Sequence, residues 1–368
     1  MGGSEVIRPA SVIPMSACSS HDRFLSAVEA GLPRHAWWQS PAVIGVSGGA
    51  DSTALVLALV ALAPSPETAA GLVVAHAEHD LRPEAAADRD VVVALAGQLG
   101  LRFVTRRVEV RGPGHPRGEG LEARARRLRY RFFEEVAHDT GSRHVAVAHT
   151  ADDQAETILH RILRGTGPAG VAGMVAARQL CEGVAIIRPL LAIRRQQVRD
   201  WLLANGQGWC EDATNRDIRY ARNFLRHEII SRCTAGPYPS AAEAIGRLGE
   251  QSAKLSIALA SAAEYLLDRH VTRLPDGAIV IDAAPLATLD PHLVAEVMAS
   301  LWRREGWPRR DMTARHYERL VDMLQAVAAE DESLRAELPG GVAVTAADRR
   351  RLVVTRRPTP YDVISTRL

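Results

Sequence analysis

The stretch that decides the fold is Ala42-Val43-Ile44-Gly45-Val46-Ser47-Gly48-Gly49-Ala50-Asp51-Ser52, followed by the apolar run Thr53–Val60. Residues 42–46 are typical of a buried strand, and residues 53–60 are typical of a helix packed on a sheet. The turn between them leads into the N-terminus of that helix. Unpaired backbone N–H groups and the positive end of the helix dipole favour an anion there. The stretch therefore predicts a phosphate-binding loop at the end of a sheet strand.

The side chains of this loop suit phosphate oxygens. Gly48 and Gly49 let the backbone approach closely, and the hydroxyls of Ser47 and Ser52 add donors. Asp51 either caps the helix or holds a magnesium ion that bridges phosphates. The chain has no GxxxxGK[ST] pattern, which excludes P-loop kinases and GTPases. The loop is instead typical of enzymes that split ATP into AMP and pyrophosphate.

Composition indicates an intracellular, cytoplasmic enzyme with two or three domains in its 368 residues. No run approaches the roughly 18–20 apolar residues needed to cross a bilayer, so no membrane association is expected. The N-terminus lacks the pattern of a secretory signal. The four cysteines stand far apart without a CxxC pair, so their spacing indicates neither a disulfide framework nor a zinc site.

Alternating strand and helix patterns from residue 41 onward predict a parallel sheet covered by helices on both faces. The predicted strands cover residues 42–46, 72–75, 102–110 and 144–148. Ligands bind beyond the carboxyl ends of such strands. The loop, His76 and His149 each follow directly on a predicted strand. We therefore expect all three to face one crevice, with His76 near the adenine or ribose of a nucleotide.

A second polar group, His149–Glu156, opens a predicted helix after strand 144–148. Its members His149, Asp152, Asp153 and Glu156 are spaced i, i+3, i+4 and i+7, on one face of a helix start. Apolar residues then follow at positions 158, 159, 162 and 163, which we expect to form the buried face of the helix.

Three interpretations of this group are open. Asp152 caps the helix and the acidic first turn is solvated, or the four side chains bind the metal of a hydrolase. In the third interpretation they are magnesium ligands plus a general base opposite the phosphate loop. The expected crevice favours the third.

Basic residues are clustered although the net charge is only +2. Residues 100–135 hold ten arginines against five glutamates, and residues 188–232 hold nine arginines against five acidic residues. Lys254 is the only lysine of the chain, which points to codon bias as the main cause of the arginine content. Clustering near a nucleotide site nevertheless favours a polyanionic partner.

Five further motifs stand in order along the chain: Glu122-Ala123-Arg124-Ala125-Arg126 with Arg129-Tyr130, Arg164-Gly165-Thr166-Gly167, Arg188-Pro189-Leu190-Leu191, Asp212-Ala213-Thr214-Asn215, and Arg222-Asn223-Phe224-Leu225-Arg226. With the loop and the His149–Glu156 group, they resemble the bacterial tRNA(Ile)-lysidine synthetases of the PP-loop (N-type) ATP pyrophosphatase superfamily. The resemblance covers roughly residues 41–230.

The resemblance implies an α/β fold, a Rossmann-like parallel sheet of the adenine nucleotide alpha hydrolase-like type with a C-terminal mainly helical domain. It divides the chain into an N-terminal extension (1–40), a catalytic domain (41–235) and a C-terminal tRNA-binding domain (240–368) with a small hairpin. We expect that hairpin to pair residues 341–345 with residues 351–355.

The implied reaction has two steps and uses ATP and Mg²⁺. ATP adenylates O2 of the wobble cytidine (C34) in the CAU anticodon of tRNA(Ile) and releases pyrophosphate. The ε-amine of free L-lysine then attacks C2 and expels AMP. The resemblance also allows a homodimer.

Residue roles follow from the resemblance and from chemistry. The nucleotide is assigned to loop residues 47–52 with His76 and His149, and Mg²⁺ to Asp51 and Asp153. The catalytic candidates are Asp51, Asp152, Asp153, Arg222 and Arg226; which of Asp152 and Asp153 acts as base stays open. The candidates for tRNA contact are Glu122, Arg126, Arg129, Arg164 and Asn223, although Glu122 and Arg126 also fit a purely structural i,i+4 pair.

Other members of the superfamily provide the alternatives. A tRNA thiolase needs a catalytic cysteine or an iron–sulfur cluster, and no cysteine is close to the loop or to His149 in sequence. A non-catalytic tRNA-binding relative has no need of the loop together with two carboxylates. Amide-forming synthetases such as GMP or asparagine synthetase typically carry a glutaminase part, for which the sequence offers no candidate.

Overall fold

The computed structural model describes residues 19–33, 36–79, 85–110, 120–210, 217–309, 311–329 and 334–357. The motif at residues 212–215 lies outside these ranges. The chain divides into two compact units, residues 1–251 and residues 252–368.

The first unit alternates strands and helices. Its strands are β1 (Ala42–Gly45), β2 (Leu72–His79), β3 (Arg102–Val108), β4 (His144–Val147), β5 (Ala177–Cys181) and β6 (Val184–Ile187). Its helices are α1 (Ser19–Ala30), α2 (Ala50–Ala61), α3 (Pro66–Ala70), α4 (Ala85–Gln98), α5 (Leu121–Thr140), α6 (Ala151–Leu163), α7 (Pro168–Val171), α8 (Arg195–Ala204), α9 (Ala221–Phe224) and α10 (Ser231–Ala235). A 3₁₀ turn covers Trp37–Gln39 and a π-helical turn covers Leu225–Ile230.

The strands form one six-stranded sheet in the order β3-β2-β1-β4-β6-β5. β1 pairs in parallel with β2 on one side and with β4 on the other. Strand order therefore reverses between β1 and β4, and such a switch point is where open α/β sheets bind ligands. β5 pairs antiparallel with β6 at the edge of the sheet.

Helices cover both faces of this sheet, as the buried strand patterns predicted. Successive side chains of a strand point to opposite faces. Val43 accordingly packs with Phe133 of α5, whereas its neighbour Ile44 packs with Leu55 and Leu59 of α2. Because all four side chains of β4 are buried, as are the first three of β1, the centre of the sheet is a rigid base for the segments that follow these two strands.

Two local predictions were wrong. β2 continues to His79 because it pairs with β3 along its whole length, so His76 lies within the strand and not after it. In α6, Ile158 is fully buried, but Ile162 and Leu163 are exposed. The helix instead buries a polar pair, Glu156 and Thr157, which an apolar pattern does not reveal.

The second unit contains more strand than the sequence indicated. Its helices are α11 (Ala241–His270), which begins in the first unit, α12 (Ala283–Ala287), α13 (Pro291–Arg304) and α14 (Ala314–Ala328). Its strands are β7 (Val271–Arg273), β8 (Ile279–Asp282), β9 (Arg335–Leu338), β10 (Val342–Asp348) and β11 (Arg351–Arg356). They form a five-stranded sheet of order β7-β8-β11-β10-β9, in which β10 and β11 form the predicted hairpin. In the described part of the chain, no helix combines the length and apolarity needed to cross a membrane.

Candidate active site

A cavity of about 760 Å³ opens where β1, β2 and β4 end. Many of the predicted site residues line it: Ser47, Gly49, Ala50, Asp51, Ser52, His76, Arg129, His149, Asp153 and Arg226. The segments after β1 and β4 thus meet at the switch point of the sheet, as their positions in the sequence predicted.

The loop after β1 has the backbone that its glycines allow. Gly48 has φ +89°, a left-handed conformation that costs an L-residue roughly 1–2 kcal/mol. Gly49 is the N-cap of α2 in an extended conformation, and within the described residues no side chain caps this helix. As in any helix, the first N–H groups of α2 have no intrahelical acceptor. Donors of this kind suit an anion, and phosphate binding by this loop stays a prediction.

The two loop serines hold the turn in shape. The Ser52 hydroxyl donates to the Gly49 carbonyl at 3.0 Å, and the Ser47 N–H donates to the Ser52 Oγ at 3.1 Å. The Gly48 carbonyl accepts from the Cys210 N–H at 3.0 Å. The Ser52 hydroxyl is thus engaged within the loop itself.

Three carboxylates and two guanidinium groups form an ion-pair network beside the loop. Arg195 donates to Asp153 at 2.7 Å, to Asp51 at 3.3 Å and to Glu156 at 3.5 Å. Arg226 binds both oxygens of Glu156, at 2.7 and 3.1 Å. The Glu156 side chain is only 3% exposed. Counted as formal charges, these five side chains leave one negative charge.

Asp153 caps the start of α6 and also lines the cavity. One of its oxygens accepts from the backbone N–H and the hydroxyl of Thr150, which completes a capping box. Its other oxygen accepts from Arg195. Burial raises the pKa of Asp153. The positive charge of Arg195 and the hydrogen bond from the Thr150 N–H lower it by more, so the pKa lies below its usual value.

Asp152 does not line the cavity. Both of its oxygens accept from the Arg194 guanidinium, at 3.0 and 3.1 Å, and one also accepts from the Arg195 backbone N–H at 2.7 Å. These bonds fix the start of α8 to α6. The helix-capping carboxylate of the first interpretation is therefore present, but it is Asp153 and not Asp152.

Asp51 differs from both aspartates. Its Oδ2 accepts from Arg195, whereas its buried Oδ1 has no hydrogen-bond partner among the described residues. Burial raises the pKa of Asp51 above its usual value, and the nearby Asp153 adds to this effect. An unpartnered carboxylate oxygen beside a second carboxylate is a donor set that fits a hard divalent cation.

The two histidines are held as neutral rings. The His76 Nδ1 lies 2.9 Å from the Val46 carbonyl, and burial lowers the pKa of His76. Burial also lowers the pKa of His149, to about 3. The His149 Nδ1 is buried without a hydrogen-bond partner in the part of the chain that the structure describes. Both rings are therefore available as uncharged hydrogen-bonding groups in the cavity.

Comparison with known proteins identifies the family. A family model described as a PP-loop domain matches residues 28–233. A tRNA(Ile)-lysidine synthase from Rhodopirellula baltica is 37% identical over 313 residues, covering 77% of this chain and 79% of the relative. The chain belongs to the tRNA(Ile)-lysidine synthase family. The same enzyme from Thermus thermophilus is 37% identical over 337 residues, covering 89% of this chain and 61% of the relative.

Among solved structures, the U34-tRNA thiolase NcsA from Methanococcus maripaludis matches with a TM-score of 0.51. The match covers 63% of this chain and 78% of the thiolase at 15% identity, which shows a shared fold and no more. The fold class and the lysidine synthase family predicted from the motifs are thereby confirmed.

Several residues that the family resemblance assigned to tRNA do not line the cavity. Glu122 lies 3.6 Å from Arg222, and the Arg126 guanidinium lies 4.9 Å from the centre of the Tyr130 ring. Arg164 is exposed at the end of α6, and the Asn223 amide donates to the Asp217 carbonyl at 3.0 Å.

Arg195 is the main residue that our sequence interpretation missed. It stands at the first position of α8, where a positive side chain opposes the helix dipole. An arginine in that unfavourable position is stabilised by nearby anions, but the sequence patterns did not predict where α8 begins, so this signal could not be used. Cys210 is a second omission, since it is remote from the loop in sequence but lines the cavity.

Proposed function

We infer that this chain is an AMP-forming ligase that joins free L-lysine to C2 of the wobble cytidine in the CAU anticodon of tRNA(Ile). Membership of the lysidine synthase family supports the reaction. The observation that carries the proposal for the site is that the glycine loop, with its Asp51, and Asp153 line one cavity at the sheet switch point.

The loop is assigned to the leaving pyrophosphate of ATP. N–H groups at the start of α2 and the left-handed turn at Gly48 supply fixed donors for phosphate oxygens. Negative charge grows on the pyrophosphate as the bond to the α-phosphorus breaks, so fixed donors stabilise the transition state more than the ground state. His76, held by Val46, is assigned to the nucleoside end.

Asp51 and Asp153 are assigned to Mg²⁺. The unpartnered Oδ1 of Asp51 supports this assignment, and Arg195 bridges the same two carboxylates. When bound, Mg²⁺ neutralises phosphate charge. Arg195 holds the two carboxylates near each other, because its positive charge offsets their repulsion.

The negative charge left over in the network suits the ammonium group of lysine. That amine must lose a proton before it can attack C2, because only the free amine has a lone pair. A carboxylate of this network is assigned to accept that proton. Its proton then leaves with solvent, while the C2–O2 bond breaks and AMP departs.

Binding of tRNA is assigned to basic side chains around the cavity and to the C-terminal unit. Arg222 lies 39% exposed and 3.6 Å from Glu122, a weak pair that a phosphate can replace. Arg226 is tied to Glu156 by two hydrogen bonds and is instead assigned to holding that carboxylate in place.

Thiolation is the alternative that Cys210 raises, and the surroundings of Cys210 argue against it. Burial raises the pKa of its thiol, and Asp88 adds to this effect, so little nucleophilic thiolate forms at neutral pH. Among the described residues no second cysteine lines the cavity, whereas an iron–sulfur cluster requires several.

The proposal is tested by incubating the full chain with ATP, labelled lysine and a tRNA(Ile) transcript that carries a CAU anticodon. We expect label in the tRNA together with AMP and pyrophosphate. The same transcript with the wobble cytidine replaced by uridine is the control and should stay unlabelled. Absence of label from the CAU transcript would contradict the proposal.

A further inference from the structure

Away from the active site, three side chains of different chemistry converge between α5 and the β5–β6 hairpin. Glu134 and His138 are four residues apart on α5 and therefore share one face of that helix. Cys181 ends β5, just before the turn in which Gly183 has φ +72°. One ligand atom from each side chain lies within 4.8 Å of the others.

The distance between two of these atoms matches a metal site. The Cys181 Sγ lies 3.6 Å from the His138 Nε2. Tetrahedral Zn²⁺ with bonds of about 2.3 Å to sulfur and about 2.0–2.1 Å to nitrogen separates the two ligand atoms by about 3.5–3.6 Å. The side chains therefore stand close to the spacing that a bound ion would impose. Without metal, the same contact is a thiol–imidazole hydrogen bond.

The donor set selects the kind of metal. Thiolate sulfur, imidazole nitrogen and carboxylate oxygen are the three ligand types of protein zinc sites, whereas Mg²⁺ and Ca²⁺ take oxygen ligands. A thiolate and a carboxylate together balance the charge of a divalent ion. Three protein ligands leave the fourth position open for water, and the exposure of His138 gives the ion a route from solvent.

The position of the site indicates a structural role. β5 is the edge strand of the sheet, it pairs only with β6 among the described strands, and it carries an irregular register between Gln179 and Cys181. An ion bound to both elements would fix this hairpin to α5. α5 also supplies Arg129 and Tyr130 to the wall of the active-site cavity.

We propose that Glu134, His138 and Cys181 form a Zn²⁺ site that ties the edge hairpin to α5. Binding forms a Zn–S bond and breaks the S–H bond, and the proton passes to solvent. The site is separate from Asp51 and Asp153 and does not depend on the function proposed above. Cysteine spacing alone did not reveal it because only one of the three ligands is a cysteine.

The test is a Co²⁺ titration of the metal-free full chain, with Zn²⁺ as competitor. We expect one Co²⁺ per chain with a thiolate-to-cobalt charge-transfer band, and its loss when one equivalent of Zn²⁺ is added. Cys181→Ser should abolish the band and His138→Ala should weaken binding by at least about tenfold. Cys233→Ser, the same substitution at another free cysteine, should change neither.

Thermal unfolding supplies a second measurement that does not require enzyme activity. Zn²⁺ should raise the melting temperature of the wild-type chain and of Cys233→Ser, because a ligand of the folded state stabilises it. It should leave that of Cys181→Ser unchanged. No Co²⁺ band in the wild type, or a band that survives in Cys181→Ser, would overturn the proposal.

Discussion

The raised pKa of Asp51 means that this carboxylate, which we assign to Mg²⁺, lowers the stability of the fold at neutral pH. Its pKa is raised, so between the unfolded pKa of 3.8 and the higher folded pKa the folded state holds the extra proton. Stability therefore falls as pH rises through that interval, and the ionised carboxylate lowers stability at neutral pH. The folded chain tolerates this cost because Arg195 pairs with the carboxylate.

We predict that Asp51→Asn lowers the rate of tRNA-dependent pyrophosphate release by about 10²–10³-fold, the usual effect of removing a transition-state contact. The melting temperature at pH 7 should stay the same or rise. Asp152→Asn is the matched control: it loses the Arg194 bonds at about 1–3 kcal/mol of stability but keeps most activity. The reverse pattern in the two variants would contradict the assignment.

His149 leads to a prediction about stability at acid pH. Its folded pKa of about 3 lies below the ordinary value of 6.5, so the unfolded chain takes up the proton first. The stability that neutral His149 contributes is complete above pH 6.5 and is lost as pH falls towards 3. His149→Gln should therefore flatten the loss of melting temperature between pH 6.5 and 4. The surface variant His292→Gln should follow the wild type, and an identical slope in His149→Gln would refute the assignment.

At the residue scale, the sequence predicted which side chains meet but not how they pair. The spacing placed His149, Asp153 and Glu156 at one helix start, but it wrongly grouped Asp152 with them, since Asp152 pairs with Arg194 outside the cavity. The role of Asp153 in the capping box and the central position of Arg195 depend on α8, which lies some forty residues further along the chain. Contacts of that range leave no periodic signal in a sequence.

At the element scale, the loop after β1 depends on two glycines for different reasons. Gly48 needs its positive φ, whereas Gly49 has φ −75° and a Cβ placed there meets nothing closer than 3.7 Å. We predict that Gly48→Ala lowers the free energy of unfolding by about 1–2 kcal/mol. Gly49→Ala should leave stability nearly unchanged but weaken ATP binding, because its methyl group narrows the approach of phosphate.

Chemical denaturation and ATP titration of the two variants measure these effects. Equal stability losses would mean that the turn at Gly48 is not specifically left-handed. Unchanged ATP affinity in Gly49→Ala would remove this loop from the phosphate site.

The first four strands of the first unit were predictable because their buried apolar runs alternate with helical patterns. The antiparallel pair β5–β6 at the edge of the sheet was not predicted. The end of β2 was not predictable from the sequence. Its last residues are held by backbone pairing with β3, and their side chains carry no strand pattern. The exposed end of α6 shows the same limit: Ile162 and Leu163 follow a helical period, but among the described residues nothing buries them.

At the scale of the whole molecule, a net charge of +2 is too small to attract tRNA from a distance. Binding should therefore depend on local contacts. We predict that Arg222→Gln weakens tRNA binding and reduces the slope of log K against log salt by about 1, the value for one phosphate contact. Arg226→Gln, four residues on, should leave the slope unchanged because Arg226 is paired with Glu156.

Filter binding at several salt concentrations measures both slopes. A slope that falls in Arg226→Gln and stays constant in Arg222→Gln would mean that Arg226, and not Arg222, contacts a phosphate of the tRNA.

In the second unit, the strands β7, β8 and β9 are only three or four residues long, too short to show the alternation of apolar and polar residues that predicts a strand. The sequence therefore predicted the hairpin but not the sheet around it.

In the proposed function, the loop and the two carboxylates direct ATP to adenylate tRNA. An experiment without lysine isolates this step, with ATP labelled at the α- or the γ-phosphorus and the CAU transcript of tRNA(Ile). We predict that only the α-label stays with the tRNA, and that added lysine discharges it as AMP. Release of ADP, transfer of the γ-label, or an α-label that lysine does not discharge would show that ATP does not adenylate the tRNA.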